Sequence, residues 1–507
     1  MASSNKKSQI KLKQKIKKLE QKNENLEKQR MKAAKNAKRQ ENIVLAKKSA
    51  YVCSIIALVV ILFVYLFSAF AMSESPKGSL FSKEMLAVEN KEGKWGYINK
   101  TGQTMIDFEY DYAFNFSDNG LALVGKDDKF GFINLNGKVV IDIEYDYAIP
   151  FENDVSIVSK GGKYGVINSR GKIVTVNPKN AEEKGLYYES IKSFVKEPVT
   201  SNIYAIAVFN GLYGLINTKG EIVLDFKYEE LANIGNGYVA YREDDKWGYV
   251  GYDGTPLTKS LYLSVGAFDK NGFAIASYES GFDDENYVIL NSNGKWVYDD
   301  ISISKIERIN SVYFKVLTTD GKYGILDNKL NEYNQLDSLK IETKYTYLEK
   351  VSEELLAYST NTDELNRKYG LIDFEGNVKT EEIYVSVKSA GDKLVAIKED
   401  DDKFIIFNLD LSQSFEFECD KIYEFHYGVA VFEIEGKFGY VDENGEIVHE
   451  ANLIFASDFK ADGFAVARDD ENGYGVLKKN GKWMINPKYL MMVYGSYEEL
   501  LDQAIYD

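Results

Sequence analysis

Short, mostly apolar runs, in which large and small side chains often alternate, fill much of this chain and recur at a regular interval. Leu-Ala-Leu-Val at 121–124 and Tyr-Ala-Ile-Ala-Val at 204–208 are two of them. A polar pair such as Asp127-Asp128 follows such a run, and then comes an aromatic residue with a glycine beside it. Short alternating runs divided by turn residues are typical of β-strands in hairpins. The pattern therefore predicts an all-β chain built from repeats.

Eleven copies of one segment carry the repeat. The segment reads KWGYIN at 94–99, KFGFIN at 129–134 and KFGYVD at 437–442. Relative to its leading aromatic residue, Gly stands at +1, Asn or Asp at +4 and Gly at +7, each in nine of the eleven copies. The leading aromatic residues are Trp95, Phe130, Tyr164, Tyr213, Trp247, Tyr287, Tyr323, Tyr369, Phe404, Phe438 and Tyr474. The glycines at +1 are Gly96, Gly131, Gly165, Gly214, Gly248, Gly324, Gly370, Gly439 and Gly475.

The spacing within a copy has a structural interpretation. Asn or Asp followed three residues later by Gly is typical of a hairpin, because the Asx side chain caps the turn and Gly accepts a positive φ. A glycine beside the aromatic residue would leave room for a neighbouring ring to lie across the strand. We therefore expect both sets to pack between strands or between repeats. The alternative is a platform on which ligands stack, and it would require exposed rings at Trp95 and Trp247.

The repeated segment resembles the WG-repeat (KWG-repeat) family over residues 86–488. That family is common in bacterial surface and multidomain proteins, and the resemblance implies β-rich repeats used mainly for binding or display. The copies at Tyr287 and Phe404 depart from the pattern, because Val288 and Ile405 replace the glycine. Units of this length suit propeller blades. The expected fold is propeller-like, with an open superhelical β-repeat solenoid as the alternative, since eleven units exceed the usual ring.

The segment 51–71 contains no charged residue and is long enough to cross a bilayer as a helix, which takes about 20 residues. Residues 1–48 hold 16 basic and 4 acidic residues. The positive-inside tendency then predicts a single-pass cell-membrane protein with its N-terminus in the cytoplasm and the repeat array outside. Ala69-Phe70-Ala71 resembles a signal-peptide cleavage site, but the long basic region before it favours an uncleaved signal anchor.

The basic region itself predicts a cytoplasmic helix. Leu12, Ile16, Leu19, Asn23 and Leu26 are spaced alternately by four and three, which would allow a short coiled coil and a parallel homodimer. A solvated basic helix touching lipid headgroups is the alternative. The expected domains are 1–48, basic helix; 49–72, transmembrane anchor; 73–85, linker; 86–488, repeats; and 489–507, C-terminal capping segment.

Charge and composition narrow the function. After residue 48 the chain has 46 basic and 74 acidic residues, a net charge of −28, which disfavours nucleic acid as a partner. Paired acids such as Asp244-Asp245 are interpreted as solvated turns, and neither His426 nor His449 has a second metal ligand at a familiar spacing. We therefore expect no catalytic, metal or cofactor site.

The expected function is that of a membrane-anchored surface protein that binds or scaffolds an envelope protein or polymer without catalysis. Two alternatives stay open. One is an extracytoplasmic enzyme acting on an envelope polymer, with its residues in the irregular stretches near 178–200 or 255–285. The other is a transmembrane sensor.

Overall fold

The computed structural model describes residues 78–280, 284–329, 339–398, 403–412 and 414–494, all within one compact unit, Pro76–Asp507. These residues form strands and turns without a helix, so the predicted all-β repeat array is confirmed. Within them, no helix is long and apolar enough to cross a membrane. The predicted basic helix and membrane anchor, and most of the capping segment, lie outside the described residues.

Each regular repeat supplies antiparallel strands that we name a, b, c and d in chain order. In repeat 2 they are β4 (Tyr112–Ala113), β5 (Leu121–Lys126), β6 (Lys129–Asn134) and β7 (Val139–Tyr145), paired in that order. Strand c begins at or just before the leading aromatic residue. The chain therefore makes an a–b loop and a c–d hairpin at one end of each sheet, and a b–c hairpin and a d–a link at the other.

The remaining strands follow the same scheme with local departures. Repeats 1 and 3–5 comprise β1 (Met85–Glu89), β2 (Trp95–Asn99), β3 (Thr104–Tyr110); β8 (Tyr147–Ala148), β9 (Val155–Lys160), β10 (Lys163–Asn168), β11 (Val176–Asn177), β12 (Asn180–Lys184); β13 (Ser190–Ile191), β14 (Val195–Lys196), β15 (Ile203–Phe209), β16 (Leu212–Asn217), β17 (Ile222–Tyr228); β18 (Glu230–Gly235), β19 (Tyr238–Glu243) and β20 (Lys246–Gly251). Repeats 6–8 comprise β21 (Ser264–Val265), β22 (Phe273–Ser280), β23 (Asp284–Asn291), β24 (Trp296–Asp299); β25 (Ile303–Arg308), β26 (Tyr313–Thr318), β27 (Tyr323–Asp327), β28 (Leu339–Tyr345); β29 (Tyr347–Lys350), β30 (Leu355–Ser359), β31 (Tyr369–Asp373) and β32 (Val378–Ala390), which continues into repeat 9. Repeats 9–11 add β33 (Lys393–Lys398), β34 (Lys403–Asn408), β35 (Ser414–Glu418); β36 (Lys421–His426), β37 (Val429–Ile434), β38 (Lys437–Asp442), β39 (Ile447–Leu453); β40 (Phe455–Ala456), β41 (Phe464–Asp469), β42 (Gly473–Lys478), β43 (Trp483–Tyr489) and β44 (Met491–Met492).

Hydrophobic clusters join each repeat to the next. Tyr97 of repeat 1 shares a cluster with Ala122 of repeat 2, whereas Leu121, the neighbour of Ala122, shares the next cluster with Val158 of repeat 3. Alternate residues of a strand point to opposite faces. Strands b and c are therefore buried on both faces between successive sheets, which explains why they read as nearly continuous apolar runs.

The last repeat contacts the first in the same way. Strand β44 pairs with β1, with Val88 opposite Met492, and supplies strand a for the first sheet. A hydrophobic cluster joins Ile98 of repeat 1 to Val476 of repeat 11. Of the predicted capping segment, residues 489–494 lie within the described structure, and they complete the sheet of repeat 1.

Candidate functional site

The leading aromatic residues lie at the start of strand c, next to the b–c hairpin. In repeat 2 the Phe130 ring lies 6.0 Å from the Tyr112 ring of strand a, and Phe130 pairs in register with Tyr145 of strand d. Trp95 is buried, and the other ten, Trp247 among them, are half-buried. These rings therefore cover the flank of their own sheet and leave part of their surface to solvent.

The glycine at +1 faces a bulge in strand d. In repeat 2, Phe130 and Phe132 are two residues apart, but their partners Tyr145 and Ile141 are four apart. The extra residues of strand d fold over Gly131, and a Cβ atom there would lie 2.7 Å from the carbonyl oxygens of Ile141 and Asp142. The space left by the glycine thus admits bulged backbone in repeat 2, and in some repeats a ring as well, such as Phe226 beside Gly214.

The residue at +2 forms the deepest contact between repeats, and the sequence analysis did not single it out. Tyr97, Tyr249 and Tyr440 occupy this position and are fully buried. The Tyr97 hydroxyl donates to the carbonyl oxygen of Phe114 in repeat 2 at 2.8 Å, and its ring lies 4.9 Å from that of Phe116. Burial raises the pKa of Tyr97 well above its ordinary value. The available signal was an apolar or aromatic residue two positions after the leading aromatic, on the same strand.

The c–d hairpins have the predicted Asx geometry. Asn134 accepts hydrogen bonds at Oδ1 from the backbone N–H groups of Asn136 and Lys138, at 3.0 and 3.1 Å. Gly137 has a φ of 74°, and its N–H donates to the Asn134 carbonyl. Each hairpin of this kind rests on the preceding repeat, since a Cβ atom on Gly137 would lie 3.1 Å from Ile106.

Paired acidic residues occupy b–c hairpins where the structure describes them. Asp127 and Asp128 have φ values of 50° and 58°, as a two-residue hairpin turn requires, and both are exposed. Asp400-Asp401-Asp402 lies outside the described residues.

A single acidic residue between two strands ties neighbouring repeats together. Asp111 lies in the link from β3 to β4, and it accepts hydrogen bonds from Lys94 of repeat 1 and from the Asp127 N–H of repeat 2, at 2.5 and 2.8 Å. The hydrogen bond from Lys94 lowers the pKa of Asp111. Asp146 makes the equivalent contacts with Lys129 and with the Gly161 N–H one repeat later. These carboxylates are therefore part of the joint between sheets.

The candidate site is an open groove of about 420 Å³ between repeats 10 and 11. Its walls are His449 and Asn452 of repeat 10 and Trp483 of repeat 11, with the acidic turn 469–471 at its edge. The His449 ring packs edge-on against Trp483 at 6.1 Å, and its two nitrogens lie 3.1 and 3.2 Å from the Gly481 carbonyl and the Asn452 amide oxygen. The recess is therefore lined by an indole and an imidazole beside carboxylates.

The polar groups of this groove already have structural partners. Burial alone would raise the pKa of Asp469, but hydrogen bonds donated by Asn472 and Gly473 lower it. Asp470 forms an ion pair with Lys437 at 2.8 Å. Asp469 therefore holds the turn 469–473, and Asp470 joins repeat 11 to repeat 10.

His426 lies near two carboxylates, of which only Glu424 is close to it in the sequence. His426 Nε2 lies 3.3 Å from Glu424, two residues earlier on the same strand, and 3.4 Å from Asp458 of repeat 11. Across the described part of the chain, no group of three or more His, Cys, Asp or Glu side chains is placed to hold a metal ion. Cys419 is half-buried, and burial next to Asp420 raises its pKa to about 12.

Solved structures that match this chain do so with low TM-scores and little shared sequence. A crystal structure of the eukaryotic initiation factor has a TM-score of 0.36 and 11% identity, covering 80% of this chain and 97% of its own. BamB from Moraxella catarrhalis has a TM-score of 0.28 and 13% identity, covering 55% and 94%. The extracellular domain of a hybrid two-component system from B. thetaiotaomicron has a TM-score of 0.22 and 10% identity, covering 77% and 66%. No curated protein matches the sequence.

The family model described as WG containing repeat matches this chain in five places. The matched residues are 95–130, 130–164, 213–247, 413–438 and 438–472. Four of the five matches run from near one leading aromatic residue to the next, and the fifth begins inside repeat 9. The chain therefore carries WG-type β-repeats at these five places.

Proposed function

We propose that this chain is a membrane-anchored protein that binds or scaffolds a partner in the cell envelope without catalysis. One observation carries the proposal: the positions that define the repeat, including the +1 glycine and the +4 Asn or Asp found in nine of eleven copies, are used in packing and in turns. Gly131 admits the bulge, Tyr97 joins two repeats, and Asn134 caps a hairpin. Many of the residues that differ between copies, such as Asp127 and Gly161, lie in exposed turns, and exposed surfaces of repeat proteins contact partners.

The proposal extends to the arrangement of the repeats. The eleven hydrophobic clusters among the described residues each join two neighbouring repeats, and one of them joins the last repeat to the first. Strand β44 pairs with β1 at the same seam. These contacts favour a closed, propeller-like ring over an open superhelix, because an open array would leave two ends without a neighbour.

Protease shaving of intact cells tests the anchoring and its direction. The chain carries one tag at each end, and the protease is added from outside. Under the proposal the C-terminal tag is lost while a short fragment containing the N-terminal tag is protected. Retention of both tags in intact cells, with loss of both after lysis, would place the array in the cytoplasm and overturn the proposal.

A further inference from the structure

The c–d hairpins of repeats 11, 1, 2 and 3 form one continuous margin of the array. A Cβ atom on Gly102 would lie 3.8 Å from Ile485 of repeat 11, and one on Gly171 would lie 3.1 Å from Ile141 of repeat 2. Gly137 makes the equivalent approach to Ile106. Each hairpin thus rests on the strand d before it, and the four hairpins are neighbours.

This margin is basic. Five exposed cations in these hairpins form no ion pair with any residue that the structure describes, and none of the four hairpins contains an acidic residue. The five, which we call the basic arc, are Lys138, Arg170, Lys172, Lys478 and Lys482. Two apolar side chains stand among them, Leu135 with 41% and Val140 with 43% of their surface exposed. Acidic residues at the same end, such as Asp118, lie in the turns that precede strand b, and one of them, Glu84, forms an ion pair with Lys100 of repeat 1 at 2.8 Å.

Three of the four lysines in the b–c hairpins of repeats 2 and 3, at the other end of the same sheets, form ion pairs, and Lys163 is the exception. Lys126 lies 3.3 Å from Glu109, Lys160 lies 2.7 Å from Glu144, and Lys129 contacts Asp146. The b–c hairpin of repeat 2 at that end carries the exposed Asp127-Asp128 pair, whereas that of repeat 3 carries Gly161-Gly162. The two ends of repeats 2 and 3 therefore differ in charge, because most cations at the far end lie beside a carboxylate and those of the basic arc do not.

The chain enters the array at the basic end. Pairing of Leu121 with Asn134 places the start of strand b beside the c–d hairpin, and the Gly78 carbonyl accepts a hydrogen bond from Ala461 in the a–b loop of repeat 11. Between the apolar segment 51–71 and Gly78 there are seven Cα-to-Cα steps, a reach of at most about 25 Å.

We propose that the basic arc docks on the anionic lipid headgroups of the membrane in which the chain is anchored. This inference rests on the proposed function, since it needs the anchor at 49–72. Lysine and arginine close to an anionic surface are attracted to it within about one Debye length, and exposed apolar side chains among them add contact with the interface. The short reach holds the arc near the surface, and the acidic far end would be turned away from it.

Amine-acylation footprinting of the full chain tests the proposal. The protein is reconstituted in nanodiscs of phosphatidylcholine, with or without phosphatidylglycerol, and each lysine is quantified by mass spectrometry. We expect labelling of Lys138, Lys172, Lys478 and Lys482 to fall roughly threefold or more in the anionic discs only. Lys129 and Lys160 are the internal references and should stay unchanged. Equal labelling in both discs would overturn the proposal, and equal protection in both would remove its electrostatic basis.

Two further arms separate this inference from the anchoring proposal. If the chain does not enter the discs, the anchoring proposal fails. Added phosphatidylglycerol vesicles then test docking alone. Protection of the same four lysines by the vesicles would support docking, and no protection would reject docking. Soluble polyphosphate that protects these lysines where anionic lipid does not would assign the arc to an anionic polymer instead of a membrane. Lys100 and Lys219, in the c–d hairpins of repeats 1 and 4, lie beside the basic arc and should share its lipid-dependent protection. The charge-reversed variant K138E/K172E/K478E/K482E should lose that protection at both.

Discussion

Repeats 2 and 6 differ in the residue that follows the leading aromatic and in how strand d pairs with strand c. In repeat 2, Gly131 accepts a bulge in strand d, and one residue, Asp146, separates that strand from the next repeat. In repeat 6 the glycine is replaced by Val288, which pairs in step with Asp299, and three residues separate strand d from the next repeat.

The shift in register beside the +1 residue thus occurs in repeat 2 and is missing in repeat 6, where the shift lies further along, between Ile289 and Leu290. Repeat 9 supports this, because Ile405 also pairs in step with its neighbour, Glu416. Since the two residue types go with two backbone shapes, the glycine is best explained by the bulge and by the short link that follows it.

The seams after these repeats differ as well. Repeat 2 meets repeat 3 through the exposed Asp146 contacts, whereas repeat 6 meets repeat 7 through a buried ion pair between Asp269 and Arg308, with side chains 8% and 9% exposed. Arg308 also donates to the Phe273 carbonyl and stacks on Phe314 at 4.7 Å. A buried pair of this kind is costly to break, because the remaining charge has no solvent.

The largest expected effect is therefore at the seam of repeat 6. Arg308→Met should lower the free energy of unfolding by about 3–5 kcal/mol, because Asp269 is left as a buried, uncompensated charge. Urea unfolding of the full chain in mild detergent measures the loss. The double variant Asp269→Asn, Arg308→Met should recover part of it, and a double variant no more stable than the single one would show that lost packing, and not charge, dominates.

The second largest effect is expected when valine is placed at the +1 position of a repeat with the bulge, and a repeat without it serves as the comparison. Gly131→Val should cost about 1–3 kcal/mol or more, because the new side chain meets the bulged backbone of strand d. Ile405→Val places valine at the same position of repeat 9, where strand d is in step, and should cost only about 1 kcal/mol. Equal shifts in the urea midpoint would contradict the link between glycine and bulge.

A smaller effect is expected at the c–d hairpin. Asn134→Ala removes two hydrogen bonds that cap the turn and should cost about 1 kcal/mol. Repeat 11 provides the control, because Lys478 stands where nine of the other hairpins have Asn or Asp, so Lys478→Ala should leave the urea midpoint almost unchanged. A loss of the same size in both variants would show that the hydrogen bonds to the Asn134 side chain are not what stabilises the hairpin.

The smallest effect is electrostatic and depends on pH. A hydrogen bond from Lys129 lowers the pKa of Asp146 in the folded chain. Its contribution is therefore complete above the ordinary aspartate pKa of 3.8 and disappears as the pH falls through the lowered value. The difference in urea midpoint between the wild type and Asp146→Asn should shrink across that window and in high salt. A difference that grows on acidification would show that the pKa of Asp146 is not lowered in the folded chain.

Much of the array follows from local patterns. The alternating runs, the Asp127-Asp128 turn and the Asn134 hairpin each depend on a few consecutive residues, so their geometry could be predicted. The bulge could not, because Gly131 shows only that room exists; which atoms use it depends on the register of strand d.

The candidate groove and the buried ion pair depend on contacts between repeats. His449 and Trp483 belong to different copies, and Asp269 and Arg308 are 39 residues apart. Neither pair could be predicted from the repeat pattern, because the residues of each pair are not signature residues of the repeat. The pairing of β44 with the first sheet could not be predicted either, since Met491–Met492 is too short to show any strand pattern.

That closure gives the chain an unusual order of assembly. Repeat 1 is synthesised first and completed last, because one edge of β1 has no partner until Met491 and Met492 have been made. An uncovered strand edge is a template for incorrect pairing. Chains cut short before Met491 would therefore be expected to act as targets of quality-control proteases and not as shortened binding proteins.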